Sequence, residues 1–437
     1  MNVVLYILGI VVLILGLAIS IGIHEFGHLL PAKKFGVRVP NWAIGFGPKL
    51  YSKKIGETEY SIRAIPLGGF ITMIGMYPPA RPGKDDSKRP FASSIISARS
   101  AHVEHEQPGD ENRKFYQLSA WKRIIVMFGG PFTNLVLGLI LLTSAFAGVG
   151  QLQRVNTVAA VIDCQEQMVD STITCIASSV STPAKLAGLH AGDQIRSIDG
   201  EEVSATQDLS SVFQSTPVQD HEVVVIRDKK QLTLTITPSV AKLPYADSTG
   251  KTATDANGKV LLRNRAYIGV MWSQERTPVT LATAFSRSVD LTGQTFGYIA
   301  QYPVQIYQTV SGLFSNEPRN PNGAVSIVGV GQAAGSIASN SNDSGTDRVF
   351  MLLYLVGALN IALFAFNMIP LPPLDGGHIA GAIYEYLKRG WFKILGRKEN
   401  VTVDTALMAP FAAFMFLVLF GAGILLMLVD FINPVQL

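Results

Sequence analysis

Charge is scarce in this chain. Asp, Glu, Lys and Arg make up 16% of its 437 residues, against about 25% in a typical soluble protein. That deficit excludes a disordered or acidic-tail protein and argues against a wholly soluble one. Cysteine is scarcer still: two residues, Cys164 and Cys175, exclude a disulfide-rich scaffold and a cysteine-built zinc site. A surplus of either sign is also missing. The 36 basic and 32 acidic residues leave a net charge of +4, too balanced for a nucleic-acid partner. A mean hydropathy of +0.28 is, in turn, too low for a chain made only of membrane helices. What is left is a mixed chain, part bilayer and part water.

Four charge-free runs locate the bilayer: Met1–Ile23, Ile124–Gln153, Val349–Leu374 and Thr405–Val429. Each reaches the roughly 20 residues that span a hydrocarbon core. The first has neither a basic n-region nor a small-residue cleavage pattern, so it reads as a retained transmembrane helix rather than a signal peptide. The expectation is a multi-pass α-helical membrane protein with helices over 1–31, 121–150, 349–378 and 404–431. Residues 31–123 carry 16 Lys/Arg against 8 Asp/Glu, and 154–348 carry 15 against 18. The positive-inside rule then places the 32–120 and 379–403 loops in the cytoplasm and both termini outside.

Within the external segment, Val155–Ile162, Val223–Ile226 and Leu232–Thr237 read as strands, the last two as a hairpin across Arg227–Lys230. Between them lies Ala187-Gly-Leu-His-Ala-Gly-Asp-Gln-Ile-Arg-Ser-Ile-Asp-Gly200. This text resembles the PDZ domain of bacterial membrane-associated proteases, over about 155–240. Cys164 and Cys175 flank a polar insertion in it, and outside the cytoplasm they are expected to form a disulfide. Residues 241–348 read as an extracytoplasmic linker followed by an amphipathic segment over 281–314, placed either on the membrane surface or under the PDZ domain. Residues 316–347 read as irregular. In the cytoplasmic loop, 56–76 is apolar and β-rich with Pro66, Gly68 and Gly69, and reads as a hairpin; 78–114 reads as mobile, and His102 and His105 as solvated.

The chemistry begins at His24-Glu25-Phe26-Gly27-His28. Positions i and i+4 of a helix share a face, so both imidazoles can meet one Zn2+, with Glu25 placed to act on the attacking water. Ionisable groups that continue a charge-free run default to function, because their burial in a membrane is costly. A catalytic zinc takes three protein ligands. The third is sought in Asn367-Met-Ile-Pro-Leu-Pro-Pro-Leu-Asp-Gly-Gly-His378, where spacing alone leaves Asp375 and His378 both open.

His-Glu-x-x-His on the first helix paired with Leu-Asp-Gly after a later one resembles the site-2 protease family of intramembrane zinc metalloproteases. Phe35-Gly36, Gly45-Phe-Gly-Pro-Lys-Leu50, Arg63-Ala-Ile-Pro-Leu-Gly-Gly-Phe70 and Gly129-Gly-Pro-Phe-Thr-Asn134 extend the likeness to the bacterial regulator-of-sigma-E protease branch, in a single-PDZ form. The resemblance implies that His24, His28 and Asp375 hold zinc and that Glu25 is the general base. It implies substrate-binding roles for Asn367, Pro370, Pro372, Gly68, Gly69 and Phe70, with the hairpin lying on the membrane. It places Asn134 near the active site and leaves His378 a neighbour. The expected substrate is a single-pass membrane protein, such as an anti-sigma factor or a signal-peptide remnant, cut within the bilayer. A catalytically silent scaffold is the contrasting reading, but it predicts a degraded metal motif. A transporter is disfavoured because the four spans show no internal repeat.

Overall fold

The computed structural model describes residues 2–80, 85–103, 105–163, 166–169, 172–175, 181–204, 209, 212–213, 218–244, 253, 260–312, 323–341, 343–396 and 403–434. They belong to two compact units, Met1–Val149 with Val279–Leu437, and Gly150–Pro278. Cys164 and the Cys175 side chain lie outside the described residues, and with them the expected disulfide. The helices are α1 (Val3–Lys34), α2 (Ala92–Val103), α3 (Ala120–Ser144), α4 (Pro183–Leu186), α5 (Leu281–Ser311), α6 (Ile327–Ser339), α7 (Gly345–Asn367), α8 (Asp375–Ile394) and α9 (Ala409–Ile432). Among the described residues four helical stretches are long and apolar enough to cross a membrane: Val3–Lys34, Ala120–Val149, Gly345–Asn367 and Thr405–Ile432.

In the first unit, α1 and α3 cross with their backbones in contact. A Cβ on Gly27 would collide with the Gly129 carbonyl, and one on Gly129 with the Gly27 carbonyl. Small residues allow this close approach, the usual device for packing helices where burial of apolar surface gives little drive. Thr133 reinforces the crossing, its Oγ1 donating to Ile23 O at 3.1 Å. Farther along, Asn360 of α7 donates to Ser20 Oγ of α1 at 2.9 Å, both residues fully buried.

Several expected boundaries are corrected. The third span does not run over 349–378. α7 stops at Asn367, and the chain leaves helical geometry before Pro370, Pro372 and Pro373, which cannot donate to a helical ladder. It re-enters at Asp375 as α8, which occupies most of the expected 379–403 loop. The stretch read as irregular holds α6, whose small residues let it lie against α1: a Cβ on Gly9 would strike Ala334, and one on Gly335 the Tyr6 ring. α5 packs along the spanning helices, with Ser288 Oγ 3.2 Å from Thr143 Oγ1, Phe296 on Phe364 and Tyr302 on Phe366. The 78–114 segment contains α2, tied by Arg99 to Asp86 at 2.8 Å and to Asp404 at 2.7 Å. His105 holds Arg38 through its carbonyl.

The β-structure of the first unit also differs from a simple hairpin. β1 (Asn41–Ile55) pairs with β2 (Thr58–Thr72) twice. Its first residues, 41–44, lie between 59–62 on one side and 69–72 on the other, while 51–55 pair back onto 58–62. Gly68, at φ +103°, makes the turn into the 69–72 arm; any side chain there would meet the Phe46 ring. That arm is an edge, paired only with β1 among the described residues.

The second unit is built on β3 (Gln151–Val161), β6 (Gln194–Ile198), β7 (Glu201–Glu202), β8 (His221–Arg227), β9 (Lys230–Ile236) and β12 (Val270–Thr277), in the order β12-β3-β6-β8-β9 with β7 on β6. Two further pairs are β4 (Glu166–Val169) with β5 (Thr172–Cys175), and β10 (Ser239–Pro244) with β11 (Leu262–Tyr267). Its core gathers Val158, Leu189, Ile195, Val223, Val225, Ile236 and Ile268. β8 and β9 form the expected hairpin, its turn residues Asp228 and Lys229 both at positive φ. The unit does not end near 240: β12 pairs with β3, so part of the expected linker is sheet. The turn-rich residues that made 241–265 read as a linker, Asp247, Ser248, Thr249, Gly250, Asn257 and Gly258, lie outside the described residues.

Asp193, which follows Gly192 in the Ala187–Gly200 text, is fully buried. It receives Arg227 Nε and Nη2, each at 2.7 Å, and the His190 N–H at 2.8 Å. It thus fastens the loop after α4 to the end of β8. Burial alone would raise the Asp193 pKa, but Arg227 and the His190 N–H outweigh it and hold the carboxyl below its ordinary range.

Candidate metal centre

α1 carries His24 and His28 one turn apart, on the side that faces α3 and the start of α8. His24 Nε2 lies 3.2 Å from His28 Nε2. Asp375 Oδ2 lies 3.2 Å from His24 Nε2 and 3.4 Å from His28 Nε2. Among the described residues these three form the one group of His, Cys, Asp or Glu able to hold a metal ion. Asp375 reaches them because α8 begins with it, directly after the proline-bearing loop. A Cβ on either following glycine, Gly376 or Gly377, would strike the backbone of 368–372, so only glycine lets the helix start this close to the loop.

The triangle fits zinc. Tetrahedral bonds of about 2.0–2.1 Å put neighbouring ligand atoms about 3.3–3.4 Å apart, close to the three observed sides. Asp375 Oδ2 is buried with no hydrogen-bond partner, which a cation at the centre would satisfy. His28 is oriented by Val126 O, 2.8 Å from its Nδ1, so that Nε2 is the nitrogen left to face the other two groups. Gly130 makes room for this ring: a Cβ there would sit on His28 Nε2. Asn134, one turn farther along α3 and 1% exposed, places its Nδ2 3.3 Å from His24 Nδ1. Gly130 and Asn134 are thus spaced i, i+4, like the histidines they face. That matching spacing in Gly129-Gly-Pro-Phe-Thr-Asn134 is the sequence signal for Gly130, a residue that sequence reasoning did not single out.

A cavity of about 470 Å³ opens on the cluster. Glu25 lines it beside His24 and His28, together with Gly68, Gly69 and Phe70 of the edge arm and with Asn367 and Pro373 of the proline loop. Gly69 approaches Glu25 so closely that a Cβ there would meet the Glu25 Cγ. Asn367 Nδ2 donates to Leu363 O at 3.1 Å. The structure thus brings His24, Glu25, His28, Asp375, Gly68, Gly69, Phe70 and Asn367 around one space. Pro370 and Pro372 instead line a neighbouring cavity of about 370 Å³ with Tyr77 and Thr405. His378 borders both cavities and lies outside the ligand group.

Comparison with known proteins agrees with this chemistry. The family model described as peptidase family M50 matches residues 12–418. The zinc metalloprotease Rip1 of Mycobacterium tuberculosis is 27% identical over 451 aligned residues, covering 99% of each chain. The Rip1 of Mycolicibacterium smegmatis is 28% identical, covering 98% of each. The regulator of sigma-W protease RasP of Bacillus subtilis is 26% identical, covering 84% of this chain and 87% of its own.

Proposed function

The chain belongs to peptidase family M50, the site-2 proteases, and on that premise we propose that this metalloendopeptidase is zinc-dependent and cuts the transmembrane segments of single-pass membrane proteins. The observation that carries the reading is the triangle of His24 Nε2, His28 Nε2 and Asp375 Oδ2 with sides of 3.2–3.4 Å, beside Glu25 in one cavity. His24, His28 and Asp375 are its metal ligands and Glu25 its general base. When bound, zinc supplies Lewis acidity for the scissile carbonyl and brings the pKa of the attacking water toward 7.

The chain's own groups do the rest. The Glu25 carboxylate takes the proton of the attacking water and returns it to the leaving nitrogen, a role that general bases fill at about 10²–10⁴-fold in rate. A helical substrate shields its peptide bonds, so it must be extended before attack. The unpaired side of the 69–72 arm offers backbone groups to such a strand, next to Glu25. The β1–β2 sheet exposes Phe46, Leu50, Tyr51, Ile55, Ile62 and Ile65, apolar groups suited to a membrane surface. We place this sheet on the cytoplasmic side, with the termini and the second unit outside. We read that unit as a PDZ domain with a groove of about 300 Å³ lined by Thr182, Leu186 and Thr235. RasP is named for regulating sigma-W, which favours an anti-sigma factor as substrate here, with signal-peptide remnants a second class.

Co-expression with a model single-pass substrate tests this. Wild type is expected to cleave it, and Glu25→Gln to leave it intact while retaining metal. Equal cleavage by both would remove Glu25 from the mechanism. Near-stoichiometric zinc surviving in Asp375→Ala would move the third ligand to another residue.

A further inference from the structure

A histidine that offers Nε2 to a metal carries its proton on Nδ1, and the acceptor of that proton fixes the tautomer and the ring. For His28 the acceptor is Val126 O, at 2.8 Å. At His24 the group facing Nδ1 is the Asn134 amide. Its nitrogen, which can only donate, stands 3.3 Å away, while its Oδ1 is buried with no partner. Kept that way, the amide would make Nδ1 the acceptor and drive the His24 proton onto Nε2. That proton would point into the space shared with His28 Nε2 and Asp375 Oδ2, both 3.2 Å distant.

A half-turn of the amide exchanges oxygen and nitrogen with little change of shape. The oxygen then receives Nδ1–H, and Nε2 keeps its lone pair for the metal. The amide N–H groups then take the buried position where the oxygen was, on a residue that lines the cavity. Position supports the assignment. Asn134 is buried, and its backbone is held in register by the Gly27–Gly129 crossing and by Thr133 on Ile23 O, which keeps its side chain opposite His24.

We propose that Asn134 is the positioning residue of His24, its side-chain carbonyl accepting the Nδ1 proton and committing Nε2 to the metal. This rests on the metal-centre reading above.

The test compares wild type, Asn134→Leu, Asn134→Asp and His24→Ala in the purified full chain. It measures zinc affinity by chelator competition and thermal unfolding of the metal-free protein. Leu keeps the volume and removes the acceptor, so zinc binding is expected to weaken about 10–100-fold. Asp keeps an acceptor oxygen and is expected to stay within about threefold of wild type. Wild-type affinity in Asn134→Leu, or equal weakening in Leu and Asp, would overturn the proposal. Wild-type affinity in His24→Ala would instead overturn the metal-centre reading itself. If the Leu variant does not fold, ring-¹⁵N-labelled histidine in zinc-loaded wild type decides: a protonated Nδ1 at His24 supports the proposal, and a bare one refutes it.

Discussion

At His28 the ring is fixed by two groups that carry no side-chain chemistry, the Val126 carbonyl and the bare Cα of Gly130. Gly130→Ala therefore tests the site without touching a ligand. The added methyl would occupy the position of His28 Nε2, so metal content and peptidase activity are expected to fall together, by about tenfold or more. Gly69→Ala should separate the two. Its Cβ would press on Ile21 Cγ2, the Ala43 carbonyl and Glu25 Cγ, none of them a proposed ligand atom, so zinc content should hold while kcat drops by about 10²-fold, the low end for a displaced general base. Metal analysis alongside single-turnover cleavage reads both. His24, Glu25 and His28 were legible in the sequence because helical periodicity alone places them on one face. Spacing alone left Asp375 and His378 both open and only the family resemblance favoured Asp375, because the geometry depends on where α8 starts and how its first turn meets α1.

At the level of elements, two buried ionic contacts hold helices and strands in register. Glu385 of α8, fully buried, lies 2.6 Å from the Arg123 guanidinium of α3 and 2.7 Å from that of Arg389, and accepts the Val403 N–H at 3.0 Å. Removing one partner of such a group leaves the others buried and uncompensated. Glu385→Ala is expected to cost about 3–5 kcal/mol, read as a lower Tm of the detergent-solubilised chain, with part recovered when Arg123→Met is added. In the second unit, Asp193→Asn should reduce hydrogen-exchange protection across 188–236 by about 1.5–3 kcal/mol at pH 7. The Asp193 carboxyl is held below its ordinary range in the fold. The stability it contributes is thus fully present above about pH 4, the unfolded value, and is lost as pH falls through the folded one. Wild type and Asp193→Asn should therefore converge in strong acid. The β8–β9 hairpin could be read from alternation and a charged turn. β10 and β11 could not, because the turn-rich text between them, Asp247–Gly250 with Asn257 and Gly258, made the stretch look like a linker. α6 escaped for a similar reason: the glycines and serines that suggest a loop are what let a helix lie against α1.

Across the whole molecule, every proposed metal ligand belongs to the unit formed by Met1–Val149 and Val279–Leu437. Metal binding stabilises only the structure that holds the ligands. Chelation is expected to lower exchange protection over 20–32, 123–138 and 360–380 and to leave 194–236 unchanged; a fall in both regions would contradict that division. The sequence by itself determined that four segments are apolar enough to span a bilayer, that two histidines and a glutamate share one helical face, and that a β-rich domain interrupts the helices. Those facts follow from composition and local periodicity, which act within a few residues. The tertiary structure alone decided what depends on contacts between distant segments. Asp375 Oδ2 stands 3.2–3.4 Å from both histidine Nε2 atoms while His378 lies outside that group, the 69–72 arm is the sheet edge beside Glu25, and Asn134 and Gly130 stand against the two histidines. The reason is physical: a helix crossing is set by which backbones can touch, and only the glycines at 27 and 129 bring α1 and α3 close enough for a carbonyl and an amide to reach those rings.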